Sequence, residues 1–273
     1  MPSLTMSPQL FVLFSSLVEE VSGISYGLQD NDLFASKVAD HAMELGYASL
    51  LDYYYRLRYD DHEGFEIRRL IEVLLVHETY FFRELPPLIE LVDDHIAPVC
   101  KRQGRARVWS AACATGEEPF TLAMVLDERG LLDQVEIIAT DISSSVLARA
   151  QSGRHSRRSL RDGYPPALAA RYLESAPHGI TVAPRIRTAV QFERVNLIDS
   201  AAVAKLGQFD AILCRNVLIY FKETRVLSVV DRLASALKPG GLLAVGVSES
   251  LMRFGTSLVC EERGGSFFYR RAT

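Results

Sequence analysis

The sequence is short of cysteine, of uninterrupted apolar runs and of basic residues at its start, and each shortage removes a class of protein. Four cysteines, Cys100, Cys113, Cys214 and Cys260, are scattered over 273 residues. None forms a CxxC pair and no histidine stands beside them at zinc-ligand spacing, so neither a disulfide framework nor a metal site is expected. They read as free, mostly buried thiols. No apolar run approaches the roughly 18 residues that span a bilayer, and no basic start precedes Glu19 and Glu20 as a secretory leader would require. The chain therefore reads as globular and cytoplasmic, without direct membrane insertion. Repeats and low-complexity tracts are also missing. What is present is 48% hydrophobic content, enough for a sizeable core in one large and one smaller domain. Charge is divided unevenly: residues 1–84 hold 6 Lys and Arg against 14 Asp and Glu, and residues 85–273 hold 24 against 20. That asymmetry predicts two modules and argues against nucleic acid as a partner of the first.

Ser7 and Pro8 form an N-cap and N1 pair, after which Leu10, Phe11, Phe14, Leu17, Val18 and Val21 recur at helical spacing up to Gly23. Further helices are expected at about 30–45, 46–58 and 64–76, making residues 1–84 an all-α N-terminal domain. A linker over 85–107, with a helix from about Leu88 to Lys101 and a basic link to Arg107, leads into residues 108–273. There, strands at about 106–112, 135–140, 190–195, 209–214 and 242–247 alternate with helices near 117–129, 143–152, 199–206 and 223–237. Such alternation predicts an α/β fold with a doubly wound, mostly parallel sheet. Two departures stand out. Gly and Pro break up the stretch of about 154–188, where an inserted small β-subdomain, an antiparallel hairpin, is expected. SLVCEERGGSFFYRR reads as a C-terminal hairpin turning at Gly264 and Gly265.

Chemistry concentrates at Val108 to Phe120, VWSAACATGEEPF, where a strand runs through small residues into an acidic helix start. SAACATG has the step pattern of the glycine-rich loop of S-adenosylmethionine-dependent methyltransferases, with Ala112 and Ala114 where glycine is common and Gly116 retained. Small residues also pack helices tightly against sheets, and that reading stays open. Asp141 ends the second strand about 25 residues beyond Gly116, where a carboxylate can accept both ribose hydroxyls; capping the helix at Ser143 is the alternative. Glu117 and Glu118 occupy a helical first turn, where the dipole favours negative charge. They would repel a pyrophosphate yet suit a cofactor carrying a sulfonium and an amino group. Asn196 and Leu197, then Arg215 and Asn216, also fall at carboxyl ends of strands, where doubly wound sheets bind ligands.

Together HETYFFRE (77–84), VWSAACATGEEPFTLAM (108–124), IIATDIS (137–143), NLID (196–199), ILCRNVLIYF (212–221) and LKPGGLLAVGVSESL (237–251) resemble the bacterial chemotaxis receptor glutamate methyltransferases, the CheR family, over nearly the whole chain. The resemblance implies a helical N-terminal domain, a methyltransferase sheet with an inserted β-subdomain, and methyl transfer from S-adenosyl-L-methionine to receptor glutamates. It further implies S-adenosyl-L-homocysteine as product and the cytoplasmic helical region of a chemoreceptor as partner, with the enzyme expected to act as a monomer in sensory adaptation. Carried over residue by residue, cofactor contacts fall on Thr79, Arg83, Glu117, Asp141, Asn196, Leu197, Arg215 and Asn216. His77 stands where the family usually has Asn, and brings a different donor and acceptor set with a titration near neutrality. Relatives can present a basic helical face to the receptor, but Asp30 to Leu51 contains only Lys37; RHSRRSLR (154–161) is the basic alternative, unless it is a solvated face.

A glutamate carboxylate, with an ordinary pKa of about 4.3, arrives ionised and needs no general base, so positioning is the expected task. Arg83 is the first candidate to grip that carboxylate, bidentately; a structural pair with Glu84 or Glu78 is the alternative. Tyr220 is the second catalytic candidate, to orient the nucleophile or to meet the sulfonium with its ring; a core aromatic beside Phe221 is the alternative. Two other readings remain: a non-catalytic cofactor-binding adaptor, and a methyltransferase for another acceptor. Against nucleic-acid adenine chemistry, the fourth strand ends in RNVLIY and not in Asn/Asp-Pro-Pro-aromatic.

Overall fold

A computed structural model describes residues 4–177 and 179–273; residues 1–3, part of the stretch read for a leader, lie outside it. Contacts divide the chain into two units, one running to Val76 and taking in Tyr220–Arg225, the other His77–Ile219 with Val226–Thr273.

The first unit is helical. Helix α1 (Pro8–Ser22) begins where the Ser7 hydroxyl accepts from the Leu10 N–H and ends at Gly23, whose φ of 81° is readily adopted only without a Cβ. Helices α2 (Asn31–Glu44), α3 (Leu50–Tyr55) and α4 (Phe65–Leu74) complete it. The third starts later than the spacing predicts because Ser49 caps it, accepting from the Asp52 N–H, and a wide turn over Arg56–Asp60 extends it. Phe14, Phe34, Val38, Tyr53 and Leu70 are buried at its centre. Tyr53 packs on Phe14 and donates to Glu66, whereas Tyr55 is exposed and stacks on Tyr59. The stretch 220–225 returns to this unit: Ile24 bridges Phe221, the Ser25 N–H donates to the Tyr220 carbonyl, and Lys222 pairs with Glu19 at 2.6 Å.

The second unit begins with HETYFFRE, because Phe81 and Phe82 are buried in its core. The Phe81 N–H donates to the Ser159 carbonyl and the Phe82 N–H to the Thr121 hydroxyl, so the boundary falls at Val76 rather than at 84. The expected helix from Leu88 to Lys101 is a continuous helical stretch from Leu85 to Gln103, in which α5 (Leu85–Leu91) and α6 (Ala97–Gln103) are joined by a wider helical turn over Val92–Ile96. Pro98 has no N–H to offer the Asp94 carbonyl, which accepts from Arg263 instead.

Strands β1 (Ala106–Ala111) and β2 (Val135–Asp141) lead into the insertion, where β3 (Arg154–His155), β4 (Leu173–Ala176) and β5 (Gly179–Val182) form a separate sheet. Strands β6 (Val190–Arg194), β7 (Phe209–Cys214), β8 (Leu237–Val245), β9 (Val259–Arg263) and β10 (Ser266–Arg270) follow. The main sheet has the order β6-β2-β1-β7-β8-β10-β9. Its first five strands run parallel, while β10 is antiparallel to β8 and β9, so the C-terminal hairpin closes one edge. All six residues of β7 are buried, as expected of a central parallel strand covered on both faces. Strand β8 starts at Leu237, ahead of the expected 242. Leu237 pairs with Phe209 before an irregularity, and Gly241 lets the backbone pass close to the Phe209 and Asp210 carbonyls.

Helices α7 (Glu117–Glu128) and α8 (Ser144–Ser152) sit in the βα crossovers, followed by α9 (Pro166–Tyr172), α10 (Pro184–Thr188), α11 (Ser200–Lys205) and α12 (Glu223–Ala236). The insertion is more than the expected hairpin: its order is β3-β5-β4, all antiparallel, with α9 and α10 beside it. Among the described residues no helix is long and apolar enough to cross a membrane.

Candidate functional site

The order of the main sheet reverses between β1 and β7, and the crevice beyond their carboxyl ends is where such sheets bind ligands. Three segments converge there in unusual backbone. Among the described residues the non-glycine positions with positive φ are Phe82 (64°), Glu84 (47°), Ala112 (59°), Ala114 (48°) and Asn216 (59°). All lie in segment 77–84, in the turn after β1 or in the turn after β7. An L-residue held in this region costs about 1 kcal/mol or more, and such strain collects at functional sites. Ala112 and Ala114 thus adopt the left-handed conformation that glycine takes up without strain.

The turn after β1 is held from both sides. The Cys113 N–H donates to the Thr140 carbonyl and the Gly116 N–H to the Cys113 carbonyl. The Ala114 N–H donates to Asp141 Oδ2 at 2.9 Å, and the Ser143 N–H to Asp141 Oδ1 at 3.0 Å. Asp141 is therefore not the helix cap; that is Ser143, whose hydroxyl accepts from the Val146 N–H. With the Ile142 N–H as a third backbone donor, the carboxylate has room left for a ligand hydroxyl among its roughly four lone-pair sites. Burial pushes the Asp141 carboxyl above its ordinary value, against the backbone donors and the nearby His77. Beyond β6, the Val195 N–H donates to the Asp141 carbonyl, Asn196 Oδ1 accepts from the Ile198 N–H, and Leu197 is buried.

Gly116 has φ 93°, and a Cβ there would lie 2.9 Å from the Ala150 Cβ. The helix it opens starts with two carboxylates pointing to different partners. Glu117 accepts at Oε2 from the Thr115 hydroxyl (2.7 Å) and at Oε1 from His155 Nδ1 (3.0 Å). Burial pushes its carboxyl up, but the hydrogen bonds and charge of His155, with Thr115, more than offset this and leave it below the ordinary value. Glu118 accepts from Ser110 (2.7 Å) and Arg215 (3.1 Å), with burial pushing its carboxyl up.

Arg215 ties the end of β7 to segment 77–84: its Nη2 donates to the Arg83 carbonyl (2.8 Å) and to Glu84 Oε2 (2.9 Å). Both Nη atoms are thus engaged by protein groups, while its buried Nε has no partner among the described residues. Asn216 donates through Nδ2 to Glu84. Arg83 itself is half-buried, donates to the Glu78 carbonyl, and lies 5.5 Å from the centre of the Tyr80 ring. Thr79 is half-buried on the same segment. Tyr220 counts with the first unit.

Two participants escaped the sequence reading. Glu249 collects three backbone donors, from Asn216 (2.5 Å), Gly246 (2.9 Å) and Ile219 (3.2 Å), and so holds the turn after β7. His155 comes from the inserted sheet. The first had a signal in its place just past β8, within GVSES; the second had none.

The donor set suits S-adenosylmethionine. Buried carboxylate oxygens with spare lone pairs answer ribose hydroxyls and cationic groups, and acidic residues at the start of α7 oppose a phosphate. No cluster that could hold a metal occurs among the described residues.

Comparison with known proteins agrees with this geometry. The family model "CheR methyltransferase, SAM binding domain" matches residues 77–262. Chemotaxis protein methyltransferase 1 of Pseudomonas aeruginosa is 35% identical over 250 residues, covering 88% of this chain and 90% of its own. The Escherichia coli chemotaxis protein methyltransferase is 33% identical over 252 residues, covering 90% and 86%. A family model matched over more than half of the chain, and relatives this similar over most of their own length, show that the chain belongs to the CheR family of S-adenosylmethionine-dependent methyltransferases.

Proposed function

We propose that the protein methylates glutamate side chains of chemoreceptors, forming methyl esters, at a site assembled from segment 77–84 and the strand ends of the main sheet. The relatives' names as chemotaxis methyltransferases support the pathway. The observation that carries the acceptor is on segment 77–84. The Tyr80 ring has two guanidinium groups over it, Arg161 at 4.1 Å, which pairs with Glu78 at 2.8 Å, and Arg83 at 5.5 Å, which has no ion pair among the described residues and is suited to a carboxylate. The cytoplasmic helical region of a receptor as partner, and a cytoplasmic place of action, belong to the same proposal.

In this reading Asp141 accepts the ribose hydroxyls, Glu117 faces the cationic part of the donor, and Asn196 and Leu197 hold the base beside them. His77, Thr79, Arg215 and Asn216 complete the contacts, Arg215 by fixing Glu118 and Glu84. The donor supplies a methyl group on a sulfonium. Arg83 holds the acceptor carboxylate bidentately and leaves one oxygen lone pair for in-line attack. No base is required, because the acceptor is ionised at neutral pH. Tyr220, just past the end of β7, orients the acceptor or meets the sulfonium with its ring in this reading.

The test is transfer from methyl-labelled S-adenosylmethionine to cytoplasmic receptor fragments of the source organism. Base-labile label on glutamates is expected, and Arg83→Ala should lower the rate by roughly a hundredfold while the donor still binds. Absence of label on every receptor would overturn the proposal. Intact signalling in the Arg83→Ala strain, with donor binding retained, would favour the adaptor reading.

A further inference from the structure

The inserted sheet supplies one side chain to the donor loop. His155, on β3, is 6% exposed, and its Nδ1 lies 3.0 Å from Glu117 Oε1; the two side chains are 1% and 2% exposed. Its ring is seated edge-on against Phe81 at 4.8 Å and Phe120 at 5.8 Å, one from segment 77–84 and one from α7. Its Nε2 is buried and has no partner among the described residues, so the ring's only hydrogen bond points at Glu117. The backbone behind it is pinned: His155 pairs with Ile180, and a Cβ on Gly179 would lie 2.0 Å from the His155 carbonyl oxygen. Nothing but glycine fits that register. A ring this constrained, spending its one hydrogen bond on a carboxylate at the mouth of the donor loop, has more than a packing task.

We propose that His155 is a positioning residue for the methyl donor, fixing the Glu117 carboxylate through Nδ1–H and linking donor affinity to the state of the inserted sheet. The inference rests on Glu117 facing the donor, as proposed above. Without the imidazole donor, burial acts on Glu117 with the Thr115 hydroxyl and its own backbone N–H left to oppose it, and the carboxyl takes up a proton at higher pH. The groups around the pair are few. Cys113 lies in the loop, Asp141 ends β2 with His77 acting on it, and Glu118 on the same helix is turned to Arg215. None of these replaces the lost N–H.

Donor affinity is measured by calorimetry on the full chain, with S-adenosylmethionine and S-adenosylhomocysteine, between pH 5.5 and 8.5. His155→Phe keeps the ring and removes the donor atom; it should weaken binding roughly ten- to a hundredfold, more steeply toward acid. His155→Asn keeps an N–H near the place of Nδ1 and should recover affinity to within about threefold. A melting curve for each variant shows whether it folds, and in the Glu117→Gln background His155→Phe should cost nothing further. Equal losses in the Phe and Asn variants, or a Phe variant within twofold of the parent with an unchanged pH profile, would overturn the proposal. Glu117→Gln separates the two readings: full affinity there removes Glu117 from the donor site itself, whereas a loss there without one in His155→Phe removes only the role of His155.

Discussion

Asp141 and Glu117 are both buried carboxylates, and their surroundings push them in opposite directions. Asp141 is raised by burial, so its ionised form is disfavoured in the folded state and becomes less of a burden as pH falls. Glu117 is lowered, with His155 and Thr115 outweighing burial, so its contribution is present above the unfolded value of about 4.3 and is lost as pH falls through the lower folded one. Relative to Asp141→Asn, the parent chain should therefore gain stability on acidification from pH 7. Relative to Glu117→Gln, it should lose stability below about pH 4. Urea unfolding across pH distinguishes the signs, and two parallel trends would contradict this account. Asp141→Asn should also weaken donor binding by roughly tenfold or more, since hydrogen bonds to a charged group are worth about 1.5–3 kcal/mol. Asp141 was legible in the sequence because a strand ending in a carboxylate is a local pattern. His155 was not, because its meaning depends on Glu117, 38 positions away, brought together only by the insertion.

At the scale of elements, the turn after β1 is the most constrained piece of backbone in the site. Gly116→Ala would place a Cβ 2.9 Å from Ala150 and 3.1 Å from the Phe120 ring, at a φ of 93°. It should cost roughly 2–4 kcal/mol, seen as a lower melting temperature with donor binding lost in parallel; a change within a degree would show that α8 yields. Gly246→Ala should loosen the turn after β7, because its Cβ would meet Asn216 Nδ2 and Glu249 Oε2, each at 2.7 Å. The main strands and their crossovers were readable because alternating apolar runs and acidic helix starts carry local signals. The start of β8 was hidden by Lys238, Pro239, Gly240 and Gly241, which read as a turn, yet Leu237 pairs ahead of them. The widened turn between α5 and α6 was hidden as well, since Pro98 is tolerated at the second position of a helix and the carbonyl it leaves unanswered accepts from Arg263, far along the chain. The first strand of the insertion, β3, is two residues long, too short for any periodicity to announce it.

At the scale of the whole chain, the first unit is not a contiguous piece: it includes 220–225 through the Ile24 bridge to Phe221 and the pair of Lys222 with Glu19. A fragment ending at Val76 should therefore exchange the amide hydrogen of Ser25, whose acceptor is the Tyr220 carbonyl, far faster than the intact chain does. Equal protection would mean that the returning segment contributes nothing to the helices. Stability and ligand binding meet in the five left-handed residues. At about 1 kcal/mol each, Phe82, Glu84, Ala112, Ala114 and Asn216 hold back a sizeable part of the roughly 5–15 kcal/mol by which a protein outlasts its unfolded state. A blind selection for heat resistance should thus return glycine at Ala112 and Ala114. The survivors would trace the outline of the donor loop and grip the donor less firmly for having been relaxed.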